Sequence, residues 1–325
     1  MIIKQRKIPL SILKLQALLR RLPSYHPKIP MIKEELNKRA AGYKGESSLD
    51  YHLGFLEPKR YFIFHDLRLE DQSRFFQIDT LLLSQKFALI IEVKNISGTI
   101  FFDPLFNQLI RTKEGKETAF PDPVIQIQRQ ESQFKNWLLK NGLPDVPLYS
   151  LVVISNPQTA IRTAPENRSL RNKVIHCEIL PTKISQIETS IKNQSLSEKE
   201  LKKTIRLIKK QHTKADYSIL ERFNLTAAEI LKGAICKKCD HKPLLRRHGT
   251  WICTQCQNKC KDAHIQALND YSLLIGPTIT NRQLRGFLKI TSPAAATRLL
   301  QSMNLTSTGT NRGRVYTLSF DEDYY

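Results

Sequence analysis

The stretch from Phe75 to Lys94, FFQIDTLLLSQKFALIIEVK, constrains the fold more than any other. Leucine, aromatic and β-branched residues dominate both halves, and a short polar break at Gln85 and Lys86 divides them. The pattern predicts two strands, about residues 75–83 and 87–94, joined by a tight turn. Three charges sit inside this apolar hairpin: Asp79, Glu92 and Lys94. If Ser84 and Phe87 close a two-residue loop, Asp79 falls directly opposite Glu92, and cross-strand partners point to one face. Lys94, two residues beyond Glu92, shares that face. A three-residue loop would turn Asp79 to the other side, so the grouping depends on the turn.

Gathering two carboxylates and an ammonium on a largely buried sheet is costly unless something pairs with them. A divalent cation is one remedy, and hard oxygen ligands suit Mg²⁺ (or Mn²⁺). Asp79 and Glu92 are the candidate ligands. Lys94 beside such an ion could orient or deprotonate a water, or stabilise charge developing on a phosphate. The other reading is a salt-bridged sheet in which Lys94 neutralises Glu92.

Asp79 followed by Glu92-Val-Lys94 resembles the D…ExK core of the PD-(D/E)xK nuclease superfamily. The wider stretch resembles the nuclease-related domain (NERD) family within it. The matching pieces are Gly45-Glu46, Gln77-Ile-Asp79, Glu92-Val-Lys-Asn95 followed by Gly98, and Pro123 with Gln126, spanning about residues 40–140. Ile78 stands where the superfamily name places proline. The resemblance implies a restriction-endonuclease-like fold and phosphodiester hydrolysis. It also implies that Glu46 supports the metal site from the first helix and that Gln126 helps orient water or phosphate. Taken without the resemblance, Glu46 is one more solvated helical glutamate, and Gln126, on a face with Gln130, is part of a polar exposed surface.

The formal net charge of the 325-residue chain is +21, which points to a polyanionic partner, most simply nucleic acid. Hydrophobic residues make up 41% and charged residues 25%, as in a soluble globular protein. No apolar run approaches the ~20 residues of a membrane helix. The basic start, Met1 to Lys7, is followed by a segment that keeps Lys14, Arg20 and Arg21 among its leucines, so it lacks a signal-peptide core. The cytoplasm is the expected compartment, and self-association is left open.

In chain order, the periodicity predicts an amphipathic helix over 9–22 and a loop over 24–30. A second helix follows over 31–56, broken near Gly42. Strands follow at about 60–69, in the central hairpin and at 98–102, then a small hairpin around Glu114 and Gly115, and a helix from Asp122-Pro123 to about Lys140. Residues 148–155 read as a buried strand and 173–177 as another; 156–196 are less legible. This order suits an α/β/α sandwich around a mixed sheet. The run from Ser197 to Glu200 is a capping box opening a helix to about His212, with shorter helices expected at 217–223 and 226–233.

Cys236-x-x-Cys239, thirteen residues, then Cys253-x-x-Cys256 is a four-thiolate pattern for structural Zn²⁺ on a ribbon. Cys260 could replace Cys256, and a disulfide framework is the alternative in an oxidising compartment. Three helices (264–274, 280–288 and 292–303) and a hairpin over 305–318 then resemble a winged helix-turn-helix domain. Its nucleic-acid-binding candidates are Arg282, Arg285, Arg298, Arg312 and Arg314. Residues 230–320 hold fourteen Lys/Arg against three Asp/Glu, a net +11; a winged helix used for protein contacts is the alternative.

The expected organisation is an N-terminal amphipathic helix (1–30), a nuclease-like domain (31–180), a helical linker (181–234), a zinc ribbon (235–262) and a winged-helix-like domain (263–325). The expected function is a metal-dependent deoxyribonuclease, with RNA as the other polyanion. The competing reading is a non-catalytic DNA-binding or DNA-processing adaptor built on an inactive nuclease fold.

Overall fold

The computed structural model describes residues 1–71 and 74–318. Two compact units share the chain: Met1–Lys7 with Ala40–Ala215, and Ile8–Arg39 with the residues from Asp216 onward. Strand β1 (Ile2–Lys4) and helices α1 (Leu10–Arg21) and α2 (Ile29–Leu53) open the sequence. The α2 helix runs unbroken through Gly42, contrary to the expected interruption. A Cβ there would meet nothing within 4 Å, so this glycine marks neither a turn nor a close approach. The helix also starts earlier than expected, at Ile29, because Pro30 suits a first turn whose N–H is unpaired in any case.

The first unit is an α/β structure around a mixed six-stranded sheet. Its strands are β1, β2 (Phe62–Asp71), β3 (Arg74–Leu83), β4 (Ala88–Lys94), β8 (Leu148–Ile154) and β10 (Val174–His176), in the order β1-β2-β3-β4-β8-β10. The β2, β3 and β4 strands pair antiparallel, whereas β1 on β2, β8 on β4 and β10 on β8 are parallel. Parallel strands need covered faces, and both faces of this sheet are covered. Phe134, Trp137 and Leu138 of α3 (Pro123–Lys140) and Leu201 and Ile208 of α5 (Glu198–Gln211) pack on one side. Leu49 and Leu53 of α2, with Leu180, Ile184 and Ile187 of α4 (Leu180–Ser190), pack on the other. The expected α/β/α layering is therefore present in this unit.

A second, four-stranded sheet follows the order β7-β6-β5-β9, with β5 (Thr99–Asp103), β6 (Gln108–Lys113), β7 (Lys116–Pro121) and β9 (Ala160–Thr163). The sequence reading lacked β1, β9 and α4. β1 and β9 are three and four residues long, too short to show alternation, and they exist because a longer strand templates them.

In the second unit, α1 packs with α6 (Ile219–Arg222) and α7 (Ala263–Leu274) into one core. Arg21 and Asp270, both fully buried, join at 2.7 Å inside it. The expected helix over 226–233 does not form. Instead the Thr226 amide donates to the Glu229 carboxylate at 2.7 Å, and a turn results. A small sheet, β11 (Leu245–Arg247), β12 (Thr250–Ile252) and β13 (Lys259–Cys260), precedes α7. Then come β14 (Thr278–Thr280), α8 (Asn281–Leu288), α9 (Pro293–Ser302), β15 (Ser307–Thr308) and β16 (Val315–Thr317), whose strands pair in the order β14-β16-β15. Among the described residues, no helix is long and apolar enough to cross a membrane.

Candidate functional site

The β3 and β4 strands make a hairpin in which Leu83 faces Ala88 and Thr80 faces Ile91, the register of a two-residue loop. The ladder stops at Thr80, one position short of Asp79 and Glu92. The cause lies in β2 and β3. Ile78 and Leu81 are three apart, yet both belong to the core under α3 and α5, so alternation slips at Asp79 and Thr80. On β2 the matching slip is at Asp66, whose φ is +49°. Lys4 Nζ donates to the carbonyls of His65 (2.7 Å) and Asp66 (2.9 Å), holding the kink. Beyond Thr80, β3 stays with β2 while β4 continues along β8 as far as Lys94, and the strands diverge around Asp79.

At this fork the Asp79 carboxylate accepts the Val93 amide at 2.9 Å, standing in for a ladder bond. Burial, with the negative charges of Glu92 and Glu46, lifts its pKa well above the usual carboxylate range. Glu92 is 3% exposed. Its Oε1 accepts from Lys94 Nζ at 2.6 Å and its Oε2 from Gln130 Nε2 at 3.0 Å. Lys94 Nζ donates also to Gln126 Oε1 at 3.1 Å.

Both glutamines sit on α3, which Asp122 caps by accepting the Val124 amide at 2.7 Å, with Pro123 in the first turn. Gln126, Gln130, Phe134 and Trp137 recur at helical spacing, so one face anchors in the core with its apolar end and reaches Glu92 and Lys94 with its polar end. Sequence reasoning singled out Gln126 but not Gln130, although their four-residue separation could have found it. Gln130 is 4% exposed, and its Oε1 is buried without a hydrogen-bond partner.

Glu46 approaches from α2. Gly45 allows this, because a Cβ there would stand 2.5 Å from Asn95 Cβ and 2.7 Å from Ser155 Oγ, the residues that follow β4 and β8. Burial raises the Glu46 pKa, opposed by Arg6 and assisted by Asp66 and Glu92. Arg6 was not anticipated. It reads in sequence as part of a leading basic run, yet it donates to Glu46 Oε2 (2.9 Å), Asp50 Oδ1 (3.3 Å) and Thr80 Oγ1 (3.1 Å). Its Nη2 lies 2.8 Å from His65 Nδ1. A guanidinium only donates, so His65 accepts through Nδ1 and is neutral. Burial, then Arg6 and Lys4, pull the His65 pKa down to about 3.

In the second unit, the Sγ atoms of Cys236, Cys239, Cys253 and Cys256 all lie within 4.8 Å of one another. Among the described residues this is the one group of three or more His, Cys or carboxylate ligands so close together. The oxygens of Asp79, Glu92 and Glu46 are thus more widely spread. Neighbouring sulfurs are 3.4–3.6 Å apart, close to the ~3.8 Å edge of a tetrahedron with 2.3 Å Zn–S bonds. Burial raises the Cys236 thiol, but the Lys238 and Cys239 amides and the facing thiols outweigh it and bring it down to about 6. Cys260 belongs to β13, opposite Trp251, outside the four-sulfur group. Of the arginine candidates, Arg282 and Arg298 are exposed. Arg285 is half-buried and tied to Asn281 Oδ1 at 3.1 Å. Arg314 is half-buried, and the side chain of Arg312 lies outside the described residues.

Residues 41–155 match the family model described as Nuclease-related domain. The matched segment contains Glu46, Asp79, Glu92, Lys94, Gln126 and Gln130. No curated protein matches the chain. The solved structure of protein VC1899 from Vibrio cholerae is similar at 10% identity and a TM-score of 0.26, over 56% of this chain and 50% of that one. The chain spans about half the length of that protein.

Proposed function

We propose that the first unit is a metal-dependent nuclease that hydrolyses phosphodiester bonds in DNA, and that the second unit holds it on the nucleic acid. The observation that carries this reading is the fork between β3 and β4, where Asp79, Glu92, Lys94 and Gln126 meet inside a segment matching a nuclease-related domain. The residues fit a hard divalent cation. The donors are carboxylate and amide oxygens, burial and the neighbouring acids raise the Asp79 pKa despite the Val93 amide, and Gln130 leaves a buried oxygen unpartnered beside Glu92.

Asp79 and Glu92 would hold Mg²⁺ or Mn²⁺, which when bound supplies positive charge to the phosphate oxygens. Glu46, fixed by Arg6, supports them from α2. The Lys94 ammonium, held between Glu92 and Gln126, is placed to orient the attacking water and to meet charge developing on phosphorus-bound oxygen. Gln130 keeps the Glu92 carboxylate in its orientation. Hydrolysis is by in-line attack of water on phosphorus with departure of the sugar oxygen.

The four-cysteine cluster fits a structural Zn²⁺, since four sulfurs leave no open position for chemistry. The three helices and small sheet after it are read as a winged helix. On this reading α9 meets the major groove with Arg298, and Arg282, Arg285, Arg312 and Arg314 contribute to the same basic face. The test is cleavage of plasmid, single-stranded and branched DNA with Mg²⁺, comparing the wild type with Asp79→Ala and Lys94→Ala. Cleavage lost in both variants supports the assignment. Equal cleavage in all three proteins removes it, and DNA binding without cleavage by the wild type favours the adaptor.

A further inference from the structure

The arginines expected on the nucleic-acid face do not include the one whose surroundings demand an anion. A cavity of about 260 Å³ in the second unit is lined by Arg246, Gly249, Ala295, Arg298, Leu299 and Ser302. Arg246 belongs to β11, in the small sheet beside the cysteines, whereas Arg298 belongs to α9. The Arg246 guanidinium lies 5.0 Å from the centroid of the Trp251 ring, and Trp251 is fully buried. This cation–π contact holds the guanidinium against the ring face. Its Nη1 is buried without a hydrogen-bond partner. An unused charged donor out of water is costly, because guanidinium cannot relieve the cost by losing its proton. Arg298 lines the same cavity, and no carboxylate does. Gly249, at the turn between β11 and β12, puts no side chain over the opening; a Cβ there would have open space around it.

Two arginines lining one small cavity, with no acid among its lining residues, make a positive site that an anion would complement. Guanidinium groups pair with the oxygens of a tetrahedral anion, which makes phosphate the fitting class. We propose that this cavity seats a single backbone phosphate of bound DNA, gripped jointly by Arg246 of the cysteine-bearing sheet and Arg298 of α9. This rests on the reading of the second unit as DNA-binding. It ties the small sheet and the helix to the same point on the strand and so fixes the register of α9 along the groove.

The test is fluorescence anisotropy of the full-length, zinc-loaded chain with a duplex lacking terminal phosphates, across a salt series. The proteins are the wild type, Arg246→Gln, Arg246→Lys, Arg298→Gln and the double Gln variant. Each single Gln variant should weaken binding about tenfold and lower the salt slope by less than about 1, because the other arginine still pairs with the phosphate. The double variant should lower the slope by about 1 in total, since both contacts share one phosphate. Arg246→Lys should recover the slope but not the full affinity. Wild-type affinity and slope in Arg298→Gln, whose side chain is exposed and not needed for folding, would overturn the seat while leaving DNA binding intact. Inorganic phosphate that stabilises the wild type but not the double variant, with duplex binding unchanged, would overturn the backbone assignment in favour of a free-phosphate site. A wild type that binds no duplex would overturn the proposal together with the reading beneath it.

Discussion

The candidate site is built from a few side chains whose hydrogen bonds leave little freedom. Lys94 has a carboxylate on one side and an amide oxygen on the other, so its ammonium is fixed without being neutralised by two acids. Arg6 does comparable work for Glu46 and Asp50. Replacing Arg6 with Met leaves those carboxylates without their cation in a largely closed space. The expected loss is about 2–3 kcal/mol of stability, measured by urea denaturation, with a fall in kcat as Glu46 loses its support. His65 sets a pH dependence. Its folded pKa of about 3 lies below the ~6.5 of an unfolded histidine, so the unfolded chain takes up protons that the folded one refuses. The stability tied to neutral His65 is fully present above pH ~6.5 and is lost as pH falls toward 3, by up to about 1.4 kcal/mol per pH unit. Denaturation midpoints measured between pH 7 and 4 should therefore fall less steeply in His65→Gln than in the wild type. Asp79, Glu92 and Lys94 were legible because charges in an apolar hairpin stand out. Arg6 and His65 were not, because nothing in a run of basic residues or in one histidine on a strand announces a partner dozens of positions away.

Elements bring these side chains together, and glycine at one position governs how closely. The α2 helix can lie against the segments after β4 and β8 only because residue 45 has no Cβ. Gly45→Ala is expected to push the helix off Asn95 and Ser155, at a cost of about 1–3 kcal/mol, and to lower cleavage more than it lowers the melting temperature would explain. At the start of α5, Ser197 Oγ accepts the Glu200 amide and the Glu200 carboxylate accepts the Ser197 amide at 2.8 Å. Ser197→Ala should cost about 1 kcal/mol and leave cleavage unchanged, which separates loss of stability from loss of the site. The capping box, the proline-led α3 and the hairpin were all readable, since each is encoded within a few residues. The β1 and β9 strands and the slip at Asp79 were not, because they follow from pairing with distant strands.

At the scale of the whole molecule, the order of the sequence is not the order of the units. Residues 8–39 belong with the C-terminal part, while the first seven residues belong with the sheet. Sequence patterns could identify α1 as amphipathic but not which core it enters, since an apolar stripe does not name its partner. The two tryptophans of the chain, Trp137 and Trp251, are both buried, one in each unit. A Trp137→Phe variant therefore leaves Trp251 as the reporter of the cysteine-bearing unit. Chelation of zinc is expected to unfold that unit, seen as a red shift and loss of Trp251 fluorescence, because thiolates brought this close repel without a cation. Unchanged fluorescence would argue against a structural metal. The central claim is tested most directly by single-turnover cleavage of plasmid DNA in Mg²⁺, comparing the wild type with Lys94→Ala under conditions where both bind the plasmid equally. The account requires the variant to lose at least about a hundredfold in rate with its fold and DNA affinity intact; a variant that cuts at the wild-type rate would contradict it.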